Sequence, residues 1–108
     1  MRKIKLEDLL GSWVFSSMEE WENEDIHAVD VAKIKFLHNG GVMNFGFVFG
    51  LLDYRIGKNR VDFSWFGDER GKEVSGRGYL TIDGNLMKGK IFFHFGEEIK
   101  FTAEKIKD

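Results

Sequence analysis

Short runs rich in Val, Ile, Phe, Tyr, Trp and Thr are closed by Asn, Asp or Gly about every eight to twelve residues along the whole chain. Few stretches carry the longer apolar period of a helix, and none of the 108 residues is a proline that would interrupt a strand ladder. This punctuation confines the chain to an all-β fold. It predicts eight strands near residues 12–18, 29–37, 42–49, 51–57, 61–66, 74–82, 86–95 and 98–106, with a helical turn over Lys5–Leu10 ahead of the first.

The turns fix the pairing, since residues directly opposite in an antiparallel hairpin share a face. An Asn39-Gly40 turn sets Phe36 against Met43, Ile34 against Phe45 and Ala32 against Phe47. A Gly50-Leu51 turn sets Phe49 against Leu52 and Phe47 against Tyr54. A Lys58-Asn59 turn opposes Ile56 to Val61, Tyr54 to Phe63 and Leu52 to Trp65, and places Arg55 by Asp62 as an outer ion pair. A Gly84-Asn85 turn pairs Gly78 with Ile91 and Gly76 with Phe93; the Asp83-Gly84 alternative would oppose Arg77 to Lys90. A Gly96-Glu97-Glu98 loop pairs Phe93 with Phe101 and Ile91 with Ala103.

One apolar face therefore runs through the meander, and Phe47, Phe49 and Phe95 belong to it together with Phe45, Leu52, Ile91 and Phe101. With no helix long enough to cover that face, closure into a barrel is the solution, and it also removes the sheet edges. The expected fold is an all-β, eight-stranded antiparallel up-and-down barrel, with residues 1–108 forming one domain. Gly76, Gly78 and Gly89 fall on the inner face, marking either tight coiling or space beside the large rings.

Connections in such a barrel alternate between its ends. The 38–41, 57–60 and 83–86 turns share an end with Leu6, Leu9 and Leu10, the expected closed floor. The other end receives the Met18–Ala28 segment, Gly50-Leu51, a Gly67–Glu73 loop and Gly96–Glu98, making it the expected mouth. Trp21 and Ile26, within an acidic stretch of Glu19, Glu20, Glu22, Glu24 and Asp25, are expected to fold over it as a lid.

Leu9-Leu10-Gly11-Ser12-Trp13, a helical turn followed by Gly-x-Trp on the first strand, resembles the opening of the calycins, the lipocalin, fatty-acid-binding and avidin-like barrels. The resemblance implies a basic residue of the last strand lying across the Trp. Lys105 is the matching position, a Lys where the group usually carries Arg. Phe63-Ser64-Trp65, Asp68-Glu69, Gly76-Arg77-Gly78 and Ile91-Phe92-Phe93-His94-Phe95-Gly96 also resemble a family of small uncharacterised single-domain proteins of this whole length, which implies no activity. The biotin-binding polar cluster of the avidins has no counterpart here position by position.

Sixteen Lys and Arg against eighteen Asp and Glu give a net charge of −2, which argues against a sequence-independent nucleic-acid binder. Zero Cys removes disulfides, thiolate metal sites and Cys nucleophiles. A charged opening without an apolar core segment leads us to expect an unexported cytoplasmic protein with no membrane partner. The sequence lacks Gly-x-Ser-x-Gly, a Walker loop and His-Glu-x-x-His, and Gly76-Arg77-Gly78 sits in a strand. No cofactor, metal or catalytic residue is expected.

Three functions compete. The first is a non-enzymatic binding protein taking a small apolar or aromatic ligand at the mouth through Trp21, Tyr54, Phe63 and Trp65. The second is an interaction module with a self-filled barrel, a homodimer through an outer wall of Phe66, Arg77, Tyr79 and Phe92. The third, an enzyme, would use His94 with a mouth carboxylate, Glu97, Asp68 or Glu69, as polar mouth groups. His94 is expected on the outer face opposite Lys100.

Overall fold

The computed structural model describes residues 4–106, so the charged opening at residues 1–3 lies outside the described residues. Eight antiparallel strands follow one another in chain order and close on themselves: β1 (Gly11–Met18), β2 (Lys33–Leu37), β3 (Gly40–Phe45), β4 (Val48–Ile56), β5 (Val61–Glu69), β6 (Lys72–Asp83), β7 (Leu86–Phe93) and β8 (Glu98–Lys105). Two single-turn helices, α1 (Leu6–Leu9) and α2 (Asn23–Ile26), lie at opposite ends. Neither is long and apolar enough to cross a membrane. The expected up-and-down barrel is the fold.

Inside the barrel, side chains alternate as the pleat demands. Ile34, Phe36, Met43, Phe45, Leu52, Val61, Phe63, Trp65, Leu80, Met87, Ile91, Ile99, Phe101 and Ala103 are buried, as the apolar face predicted. On β1 a bulge between Phe15 and Ser17 turns two successive residues outward, so that Phe15 and Met18 both point in.

Two hairpins have the expected register. Ile56 opposes Val61, Tyr54 opposes Phe63, Gly78 opposes Ile91 and Gly76 opposes Phe93. Arg55 does stand opposite Asp62, but the ion pair to Asp62 comes from Arg60 at 3.1 Å.

The remaining turns correct the sequence expectations. β2 and β3 are joined through His38 and Asn39, so Ile34, not Phe36, opposes Met43. The next turn is Gly46-Phe47, with Phe45 opposite Val48. Gly46 has φ of 54°, its N–H donates to the Ile26 carbonyl at 2.7 Å, and the Trp21 ring covers it. A left-handed first position followed by an ordinary residue is the pattern of a type II′ turn. Gly50 lies within β4, paired with Met43 and Gly67, and the Trp65 ring lies over it. Phe47 and Phe49 are consequently exposed, not inner residues.

The expected Gly67–Glu73 loop is a two-residue turn, Arg70-Gly71, with φ of 53° and 86°, the backbone signature of type I′. Residues His94 to Glu97 join β7 to β8, putting Ile99, not Ala103, opposite Ile91 and leaving Phe95 on the surface. Residues 29–32 lie outside β2, and Val29 and Val31 are exposed. Each corrected hairpin register differs from expectation by an even number of residues, so residues away from the moved turns keep their faces while their partners change, whereas Phe47, Phe49 and Phe95, beside those turns, lie outside.

Candidate functional site

The two ends of the barrel are both covered. At the floor, Leu9 of α1 is fully buried, and the Trp13 indole N–H donates to the Leu9 carbonyl at 3.0 Å. The Lys105 ammonium sits 4.7 Å above the Trp13 ring and donates to the Leu10 carbonyl. A basic residue of the last strand thus lies across the first-strand Trp. At the other end Ile26 of α2 is buried and Trp21 is half-buried, packed edge-to-face on Phe45 at 5.6 Å. These two residues form the expected cover.

Between the covers the interior is filled by rings laid on glycines of the neighbouring strand. Phe63 opposes Gly78, where an added Cβ would fall 2.7 Å from Phe63 Cε2. Phe101 opposes Gly89, where the same atom would meet Phe101 Cζ at 2.8 Å. Trp65 spans two glycines: its Cε3 lies 3.1 Å from a Cβ built on Gly50, and its Nε1 lies 2.9 Å from one built on Gly76. The inner glycines are therefore sockets for cross-strand rings.

Trp21, Phe45, Phe93 and Trp65 form an edge-to-face chain, with centroid separations of 5.6, 6.3 and 5.0 Å. Of the predicted ligand contacts, Trp21 and Trp65 are thereby linked, and Phe63 is buried beside them. Tyr54 lies toward the floor, where it packs on Phe36 and its hydroxyl donates to the Leu37 carbonyl at 2.6 Å. Burial pushes the Tyr54 hydroxyl above the ordinary tyrosine range. The Trp65 Nε1–H is buried without a hydrogen-bond acceptor among the described residues.

The predicted polar mouth groups are not assembled. His94 and Glu97 belong to the β7–β8 turn, whereas Asp68 and Glu69 end β5, with β6 between them. The Asp68 carboxylate accepts the Gly71 N–H at 3.1 Å, and the His94 backbone N–H donates to the Ser75 carbonyl at 2.7 Å. His94 does not oppose Lys100; Lys90 does. No three His, Asp or Glu side chains among the described residues gather as a metal site.

On the outer wall Tyr79 and Phe92 are half-buried beneath cations. Arg60 lies 4.6 Å over the Tyr79 ring and Arg77 lies 4.0 Å over Phe92. Lys90 reaches Glu98 at 2.8 Å, which relieves the opposed Lys90 and Lys100. The hydrogen bond and charge of this pair raise the Lys90 ammonium and lower the Glu98 carboxyl from their ordinary ranges. Only Phe66 of the predicted interface is an open apolar surface, at 63% exposure. Its neighbours are on β4: Leu51 opposes it directly, and Phe49 stands two residues along on the same face.

That β4–β5 wall is the surface sequence reasoning missed. A groove of about 520 Å³ runs beside it, lined by Val29, Phe47, Phe49, Asp68 and Arg70, with Arg70 stacked 3.9 Å over Phe47. The signal was available in Gly46-Phe47, which as a II′ turn sends Phe49 and Leu51 outward.

Together these features define a small closed eight-stranded meander barrel with an aromatic interior and an apolar outer wall, an architecture compatible with the calycin-like folds. No family model, curated protein or solved structure matches the chain.

Proposed function

We propose that this is a calycin-like, non-enzymatic interaction module that self-associates through the β4–β5 wall. The Lys105–Trp13 contact supports the calycin-like assignment. The observation that carries the function is the inversion of apolar use: rings occupy the glycine sockets inside, while Phe49, Leu51 and Phe66 stand together outside. A contiguous apolar wall of this kind marks an interaction surface. A second copy is the partner it fits, because Asp68 and Arg70 flank the same patch and a two-fold axis sets such opposite charges against each other.

The orphaned Trp65 N–H supports a second reading, in which a small ligand with a hydrogen-bond acceptor enters the barrel beside that indole. Native mass spectrometry of the purified protein separates the two. The first reading expects a dimer without adduct that Phe66→Glu converts to monomer, while Phe92→Glu, at a ring already covered by Arg77, leaves it dimeric. A monomeric wild-type protein carrying a small mass lost on denaturation would replace the first reading with the second. A monomer without adduct overturns both.

A further inference from the structure

On a different wall of the barrel, the β7–β8 turn carries an apolar side chain in a position that folding alone does not explain. Phe95 is 98% exposed and has φ of 58°. Left-handed backbone is disfavoured for a bulky side chain, and full exposure removes any burial that could offset it. Such a conformation persists where the surrounding structure holds it. Here Gly96 N–H donates to the Phe93 carbonyl at 2.9 Å and Phe93 N–H to the Glu97 carbonyl at 2.8 Å. The turn thus presents Phe95, with the His94 ring 4.1 Å away, at the rim of a groove of about 440 Å³.

The groove's charges are unequal. Arg77, Glu98, His94, Phe92 and Phe93 line it, and Glu97, in the same turn, does not. The Glu98 carboxylate is engaged by Lys90 at 2.8 Å. Arg77 makes no ion pair within 4 Å among the described residues, although its charge helps to lower the Glu98 carboxyl, and its guanidinium carbon lies 4.0 Å over the Phe92 ring. A guanidinium placed over that ring keeps N–H groups free to donate to a planar, bidentate anion. A guanidinium beside two aromatic side chains on a turn selects one chemistry.

We propose that this groove binds a small aromatic carboxylate, with Arg77 holding the carboxylate and Phe95 and His94 packing on the ring. The site is independent of the self-association wall. The test is a titration of ¹⁵N-labelled protein with 1-naphthoate, 1-naphthamide and 1-naphthyl phosphate, followed by amide chemical shifts. Naphthoate should shift the amides of Ser75, Gly76, Arg77 and Gly96 and bind at least about tenfold tighter than the neutral amide, a difference Arg77→Gln should erase. Phe95→Gly, which relieves the left-handed strain, should raise the Tm while weakening naphthoate several-fold. Equal binding of acid and amide, shifts confined to other faces, tighter binding of the phosphate, or unchanged affinity in Phe95→Gly would each overturn the proposal.

Discussion

A cross-strand ring and the glycine beneath it are one packing unit in this barrel. Gly78 has space for no side chain, since an added Cβ would overlap the Phe63 ring tip and lie 2.6 Å from the Lys90 carbonyl oxygen. Backbone cannot move aside as a flexible side chain can, so Gly78→Ala should cost about 1–3 kcal/mol, the range for overpacking a core. Gly84, with φ of 62° and nothing within reach of an added Cβ, is the control: Gly84→Ala carries only the left-handed penalty, about 1 kcal/mol. Urea titrations of the two variants should rank them in that order; the reverse ranking would mean that Phe63 does not rest on Gly78. Alternation alone put Gly76, Gly78 and Gly89 on the inner face. Which ring filled each socket depended on register, and so was visible only where the adjoining turn was read correctly.

Turn chemistry decided what was legible at the level of elements. Lys58-Asn59 and Gly84-Asn85 sit between strands whose apolar sets match in one register, and both hairpins form there. Arg70-Gly71 lacks an Asn or Asp ahead of its glycine, yet Arg70 takes the left-handed conformation with its guanidinium on Phe47. Gly46-Phe47 offers the glycine of a type II′ turn as its local signal, and a tertiary contact decides for it over Gly50-Leu51: Trp21 Cζ3 lies 2.7 Å from a Cβ built on Gly46. That contact also anchors α2, through the Gly46 N–H to the Ile26 carbonyl. Gly46→Ala should therefore displace Trp21 and loosen the cover, lowering stability by about 2 kcal/mol from combined strain and overpacking. A red shift of tryptophan emission should accompany the loss; destabilisation with unchanged emission would separate the turn from the seating of Trp21.

For the whole molecule, closure follows from the single apolar face, and meander order follows from the short connections between strands. Neither conclusion needed the correct partner at every turn, because each register error was even and kept most of the apolar face inside; only Phe47, Phe49 and Phe95, beside the misplaced turns, moved to the surface. At the two ends the covering residues Leu9, Trp21 and Ile26 were legible, whereas the short α2 and the burial of Ile4 depend on contacts remote in sequence. Closure also has a kinetic consequence. Hairpins from β2 to β8 join neighbours in sequence, whereas the β1–β8 ladder joins Trp13 to Lys105, roughly ninety residues apart. Ordering so long a loop costs more chain entropy than closing any hairpin, so the β1–β8 ladder is expected to form after the folding transition state. Phe15, buried on β1 and edge-to-face with Phe101 at 5.2 Å, reports on that seam, and Phe63, within the β4–β6 meander, reports on the early region. Phe15→Leu should then accelerate unfolding and leave the folding rate nearly unchanged, while Phe63→Leu should slow folding. Chevron plots of both variants decide the order. A slowed folding arm for Phe15→Leu with an unchanged one for Phe63→Leu would place barrel closure first.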